Sequence, residues 1–137
     1  MDLSNLKLSD SSTRMLLRNP DTDEIIYIDD EHEDPMHIDL ISSDAKEYRS
    51  LVHRQNNARM KEVKVVRNKI KGISSERSEE EALDLLLAAT KGMRIKLEGA
   101  IVGSTPDERR KVYDEFLWIR EQATAFVDDR VAHMGES

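Results

Sequence analysis

Apolar and polar positions along this chain change period several times, and each change predicts an element. Residues 14–28, RMLLRNPDTDEIIYI, hold two short apolar runs on either side of an Asn-Pro-Asp turn signal. With Ile25, Ile26, Tyr27 and Ile28 as good strand residues, the segment reads as a β-hairpin. Residues 36–41, MHIDLI, alternate Met36, Ile38 and Leu40 with His37 and Asp39, the period of a third strand with one buried face. From about 44 to 71 the period becomes helical. Tyr48, Leu51, Val52, Gln55, Ala58, Val63, Val66 and Ile70 mostly recur at spacings of three and four. At ~1.5 Å per residue this is a rod of about 40 Å, longer than a small core needs. Ser42, Ser43 or Asp44 is available to cap it, and Asp44 with Glu47 has capping-box spacing.

Gly72 and the cluster Ser74, Ser75 and Ser78 end that helix, and Ser78 with Glu81 starts another. Ala82, Leu83, Leu85, Leu86, Leu87, Ala88 and Ala89 make the second helix apolar over most of its circumference, which places it at the centre of the fold. Residues 92–103 carry Gly92, Gly99 and Gly103 around an alternation of Met93, Ile95 and Leu97. They read either as a short strand or as the frayed end of the helix before. Thr105, Pro106 and Glu108 then form the cleanest helix start in the chain, an N-cap, a proline at the first helical position and a capping-box acid. Beyond Tyr113, the positions Phe116, Ile119, Ala123, Phe126 and Val127 mark one helical face, with Trp118 on its flank. Helices are expected over about 106–113 and 117–131.

The expected fold is therefore α+β and mainly α, a short N-terminal hairpin or three-strand element followed by about four helices. The polar, Ser-rich residues 1–13 read as a flexible arm, 14–131 as one domain (14–41 its β element, 44–131 its helical part), and 132–137 as a flexible tail. Composition sharpens this. The 137 residues are 38% apolar and 36% charged, against about 45–50% and 25% in average soluble domains, so the core is thin for its charged surface. Without cysteine there is no disulfide framework and no thiolate chemistry. No apolar run approaches the roughly 20 residues that span a bilayer, and the N-terminus lacks the basic-then-apolar order of a secretory signal. A soluble intracellular protein is expected.

A net charge of −7 conceals segregation. Residues 20–45 hold ten acids and no Lys or Arg, whereas 46–77 hold ten bases and three acids, so the two segments are expected to attract each other or complementary partners. The acidic run Asp29, Asp30, Glu31, His32, Glu33, Asp34 and His37 contains metal-ligand residue types, but its spacing fits neither a calcium loop nor a two-His zinc motif. It reads as a solvated loop. The bases of 46–71 scatter around their helix with no aromatic stacking platform, which favours a solvated helix face over a nucleic-acid strip. Nucleophile-elbow, phosphate-loop and HExxH patterns are missing, so catalysis, cofactors, metals and small-molecule substrates are not expected. The aromatic positions of the last helices remain as candidates. Trp118, Phe116, Ile119, Gln122, Phe126 and Tyr113 form the expected partner-binding set, because large aromatics dominate interface hot spots.

Two segments resemble the tail assembly chaperones of long-tailed bacteriophages. One carries Asn19, Pro20 and Thr22 in a turn between short strands, then Ser43, Asp44, Tyr48 and Arg49 at a helix start. The other carries Glu108, Arg109, Val112 and Tyr113 ahead of Leu117, Trp118, Ile119, Arg120, Glu121, Gln122, Phe126 and Arg130. Met93 stands where that family has a Trp, and Val131, Ala132 and His133 replace an aromatic after Arg130. The resemblance implies a non-enzymatic protein of the host cytoplasm, absent from the mature virion, that binds the tape measure protein and keeps it soluble while tail tube protein assembles around it. Contact with the tail tube protein and homo-oligomerisation are compatible with that role. Neither nucleic acid nor membrane is an expected partner. The alternatives are a small structural head or tail completion protein of the particle, and a nucleic-acid-binding regulator acting through the basic helix 46–71.

Overall fold

The computed structural model describes residues 12–65, 75–129 and 131–133. The chain runs β1 (Thr13–Leu16), β2 (His37–Leu40), α1 (Lys46–Val65), α2 (Ser75–Ala89), β3 (Thr90–Leu97), β4 (Ala100–Val102), α3 (Pro106–Glu115) and α4 (Leu117–Val127), then a 3₁₀ turn at Val131–His133. The four strands form one antiparallel sheet in the order β1-β2-β3-β4, so the fold is α+β. Half of that sheet comes from 90–102, the segment whose alternation the sequence left open between strand and frayed helix. It is a hairpin, and its loop is Glu98-Gly99 at φ 51° and 83°, the two left-handed positions of a type I′ turn.

The hairpin expected within 14–28 forms only at its turn end, where Arg18 bridges Ile25 and the Asn19 N–H donates to Glu24 O at 2.8 Å. β1 pairs with β2, Met15 opposite Ile38 and Leu16 opposite His37, while 25–28 contributes only the isolated bridges Arg18↔Ile25 and Tyr27↔Pro35. Main-chain hydrogen bonds give the reason. The Leu17 N–H donates to Met36 O at 2.9 Å, Met36 N–H to Ile26 O at 2.8 Å, and Ile26 N–H to Leu17 O at 3.0 Å. Three chain segments share the bonds that a hairpin would divide between two. Pro35 offers no N–H to extend a ladder with Tyr27, and Asp29 turns the chain by accepting from the N–H groups of Glu33 (3.0 Å) and Asp34 (2.8 Å).

Other boundaries also differ. α2 begins at Ser75, a turn before the Ser78 start read from the sequence, since Glu76 and Arg77 are good helix formers that continue it backwards. β1 opens at Thr13, inside the expected arm, and residues 1–11 lie outside the described residues, as does the extension of the first helix from 66 to 71. Within the expected tail, His133 is buried. Its Nε2 lies 2.9 Å from Phe126 O and its ring meets Phe126 edge to face at 4.8 Å.

The core joins one sheet face (Met15, Ile38, Met93, Ile95) to Leu83, Leu86 and Ala89 of α2, Val112 and Tyr113 of α3, and Ile119, Ala123 and Val127 of α4. α2 packs on β3 and α4 on β2. The acids of 20–45 find partners on the strands: Asp34 accepts from Arg94 at 2.8 Å and Asp39 from Arg14 at 3.1 Å. Arg94 holds the Asp34 carboxyl below the usual carboxylate range, chiefly by that hydrogen bond. Both pairs are substantially solvated and so contribute little net stability.

Gly103 is buried at φ 117°, and a Cβ there would lie 2.6 Å from the carbonyl oxygen and Cγ of Met93. Gly99 has φ 83° with nothing within 4 Å. Gly103→Ala should therefore cost about 3 kcal/mol or more, strain and steric conflict together, and Gly99→Ala about 1–2 kcal/mol of strain alone. Urea denaturation of the two variants checks the ranking, and equal losses would refute the steric reading of Gly103.

Candidate partner-binding surface

The surface is built on the junction of α3 and α4. Thr105, extended at φ −117° and ψ 155°, caps α3 by accepting from the Glu108 N–H at 3.2 Å. The Glu108 carboxylate accepts from the Gly103 N–H (3.0 Å) and from the Thr105 hydroxyl (3.1 Å), and these bonds, Gly103 first, hold its carboxyl below the usual range. Arg109 ties the same end to the sheet, donating from Nε to Gly103 O at 2.8 Å and from Nη1 to Thr90 O at 3.2 Å. With α3 fixed at its start, the break at Phe116 (φ −121°, ψ 85°) sets the direction of α4.

That geometry divides the six candidate residues. Tyr113 and Ile119 are 1% and 2% exposed, so neither is available to a partner, and both leave the candidate set. The cause is helix phase. Ile119, Ala123 and Val127 lie four apart and form the buried face of α4, and Val112 and Tyr113 face the core from α3. Tyr113 is also spoken for chemically. The Thr90 hydroxyl donates to Leu86 O at 2.7 Å, which leaves it to accept from the Tyr113 hydroxyl at 2.8 Å. Gln122 is engaged too: its Oε1 accepts from the Arg18 N–H at 3.2 Å and its Nε2 donates to Arg18 O at 2.6 Å.

Phe116, Trp118 and Phe126 are half-buried against the core, and the Phe116 and Trp118 rings meet edge to face at 6.5 Å. Leu117 between them is 63% exposed, more than the other exposed large aliphatic among the described residues, Ile101 at 50%. Sequence reading passed over Leu117 because it falls outside the α4 stripe. A large aliphatic off the buried stripe of an amphipathic helix was the available signal.

The remaining charged candidates have local duties. Asp29, whose carboxyl is held low first by the Asp34 N–H, closes its own turn, and Asp34 pairs with Arg94. Among the described residues no three His, Asp or Glu side chains come together to hold a metal ion. Lys46, Arg49 and His53 share one open face of α1 with Ser50. Compared with protein-family models, curated proteins and solved structures, the chain matches none.

Burial pushes the Tyr113 phenol up to about 12, against the opposing effects of Thr90 and Arg109. Below about pH 10 both folded and unfolded states keep the proton. Between about 10 and 12 only the unfolded state loses it, so stability falls there by roughly 1.4 kcal/mol per pH unit. Tyr113→Phe should cost about 1 kcal/mol near neutrality and remove this share of the alkaline loss. Denaturant midpoints of both proteins followed from about pH 9 to 11.5 check this, and an unchanged slope in the variant would place the tyrosine's role elsewhere.

Proposed function

We propose that this chain is a phage tail assembly chaperone that binds the tape measure protein and keeps it soluble during tail tube assembly, without catalysis. One observation carries the reading: Leu117 stands exposed between Phe116 and Trp118 on a junction whose sequence resembles that family. An apolar protrusion at the start of a helix packed on the core, in a surface otherwise rich in charge, is the kind of anchor that holds a long helical client. The charged exterior keeps such a complex in solution. Among the described residues, no helix is long and apolar enough to cross a membrane. In this reading the protein acts in the host cytoplasm and is left out of the finished particle.

The test is a pull-down of the tagged protein from cells that also express the neighbouring phage genes, with captured chains identified by mass spectrometry. One very long helical protein is the expected capture. Shell subunits alone would replace the chaperone with a structural component of the particle, and an empty pull-down would remove the reading. Leu117→Asp should reduce the capture severalfold while moving stability by no more than about 0.5 kcal/mol, as expected of an exposed site. Trp118→Ala should reduce both capture and stability, the latter by less than the 3–5 kcal/mol of a fully buried Trp. Undiminished capture by folded Leu117→Asp would move the contact away from this junction.

A further inference from the structure

The outer edge of β1 is a hydrogen-bonding edge with a built-in stop. The Leu17 N–H points to β2, donating to Met36 O at 2.9 Å, and in an antiparallel pair the direction alternates with every residue. The N–H and C=O groups of Arg14, Leu16 and Arg18 therefore face the other way, off the sheet. Arg18 is satisfied there by Gln122, whose carboxamide accepts from its N–H at 3.2 Å and donates to its C=O at 2.6 Å. A neighbouring strand would make the same two bonds. Arg14 and Leu16 have no such cap among the described residues. Beside them runs a groove of about 580 Å³ between β1 and the flank of α4, where Leu16, Ala125 and Phe126 give an apolar floor and Asp23 and Asp129 stand with Arg14 and Arg18 among the charged lining.

The geometry points to a strand-addition site: an extended segment of another protein pairs with Arg14 and Leu16, stops at Gln122, and turns apolar residues inward onto Phe126 and Ala125. This is independent of the tail-assembly reading and holds for any partner with such a segment. Charge decides what that segment carries on its outer face. Arg14, Leu16 and Arg18 share the outward face of β1, and Arg14 keeps 59% of its side chain exposed although Asp39 offsets part of its charge. Acidic residues opposite these arginines are favoured and basic ones disfavoured. The same arginines oppose a second copy of this chain, because pairing two β1 edges about Leu16 sets Arg14 of each chain against Arg18 of the other. The occupant is thus a strand that alternates apolar and acidic residues.

The test uses the full chain, ¹⁵N-labelled, with a capped heptapeptide of alternating valine and glutamate and a second of alternating valine and lysine. The glutamate peptide should slow amide hydrogen exchange at Arg14 and Leu16 and bind about tenfold more tightly than the lysine peptide. Arg14→Glu should reverse that preference. Leu16→Pro should abolish binding while keeping the bonds that Met15 and Leu17 make to β2, because the N–H it removes faces outward. If its melting curve shows misfolding, Arg14→Glu alone decides. No protection at millimolar peptide, equal binding of the two peptides, or binding without protection at Arg14 and Leu16 would each overturn the proposal. Protection of those amides in a peptide-free dimer would overturn it in favour of a second copy.

Discussion

The short passage 38–43 constrains the rest of the structure. Ile38, Leu40, Ile41 and Ser42 are each no more than 2% exposed, and their main chain meets the ends of two helices. Ile41 N–H donates to Ala89 O at the end of α2, and Ser43 N–H donates to Val127 O at the end of α4, both at 2.9 Å. Each bond satisfies a carbonyl that a helix C-terminus leaves open. The strand thereby sets where both helices stop, and burial of its three aliphatics, about 1.5–3 kcal/mol each, holds it in place. Immediately afterwards the Ser42 side chain accepts from the Asp44 N–H at 3.1 Å, and α1 begins at Lys46. One buried strand end thus fixes the ends of α2 and α4 and the start of α1.

A second tie closes the fold from the other side. α2 passes into β3 without a loop, Ala89 to Thr90, and Thr90 bonds both Leu86 and Tyr113. Arg109 holds the main chain of Thr90 and Gly103 together. A bulge at Lys91, skipped between Asp39↔Gly92 and Leu40↔Thr90, lets that residue reach Glu47 of α1 at 2.6 Å. α3 is therefore held by the strand it follows, and the break at Phe116 acts as a fixed corner. A thin core can position an exposed side chain such as Leu117 because its supports are hydrogen-bonded at both ends.

How much of this was legible varies with the range of the interaction. The α3 cap was readable, because Thr105, Pro106 and Glu108 act within one turn. The buried stripe of α4 was readable as a face, although the face alone did not separate buried Ile119 from half-buried Phe126. Strand pairing was not. Leu17 donates to Met36, nineteen positions on, while accepting from the nearer Ile26, and nothing in the local pattern reports that a third segment shares the pairing. The Glu98-Gly99 turn was a readable signal, obscured by the glycines around it, and Arg18 with Gln122 is a contact across 104 positions that no periodicity reports.

That long-range contact gives α4 more than one task. Its face at Ile119, Ala123 and Val127 is spent on the core. Leu117, with half-buried Phe116 and Trp118, leaves an apolar corner at its start. Gln122 and Phe126, four apart on its flank, stand along the open edge of β1. The two sheet edges differ accordingly. β4 is only three residues long, and short edge strands offer little to pair with. β1 is backed by a helix that closes one residue with a carboxamide, and among the described residues Arg14 and Leu16 have no such cap. A helix serving only as core would need neither the amide at 122 nor the aliphatic at 117. Both proposed contacts, the apolar corner at Leu117 and the β1 edge beside Gln122, therefore rest on how this one helix is phased against the core.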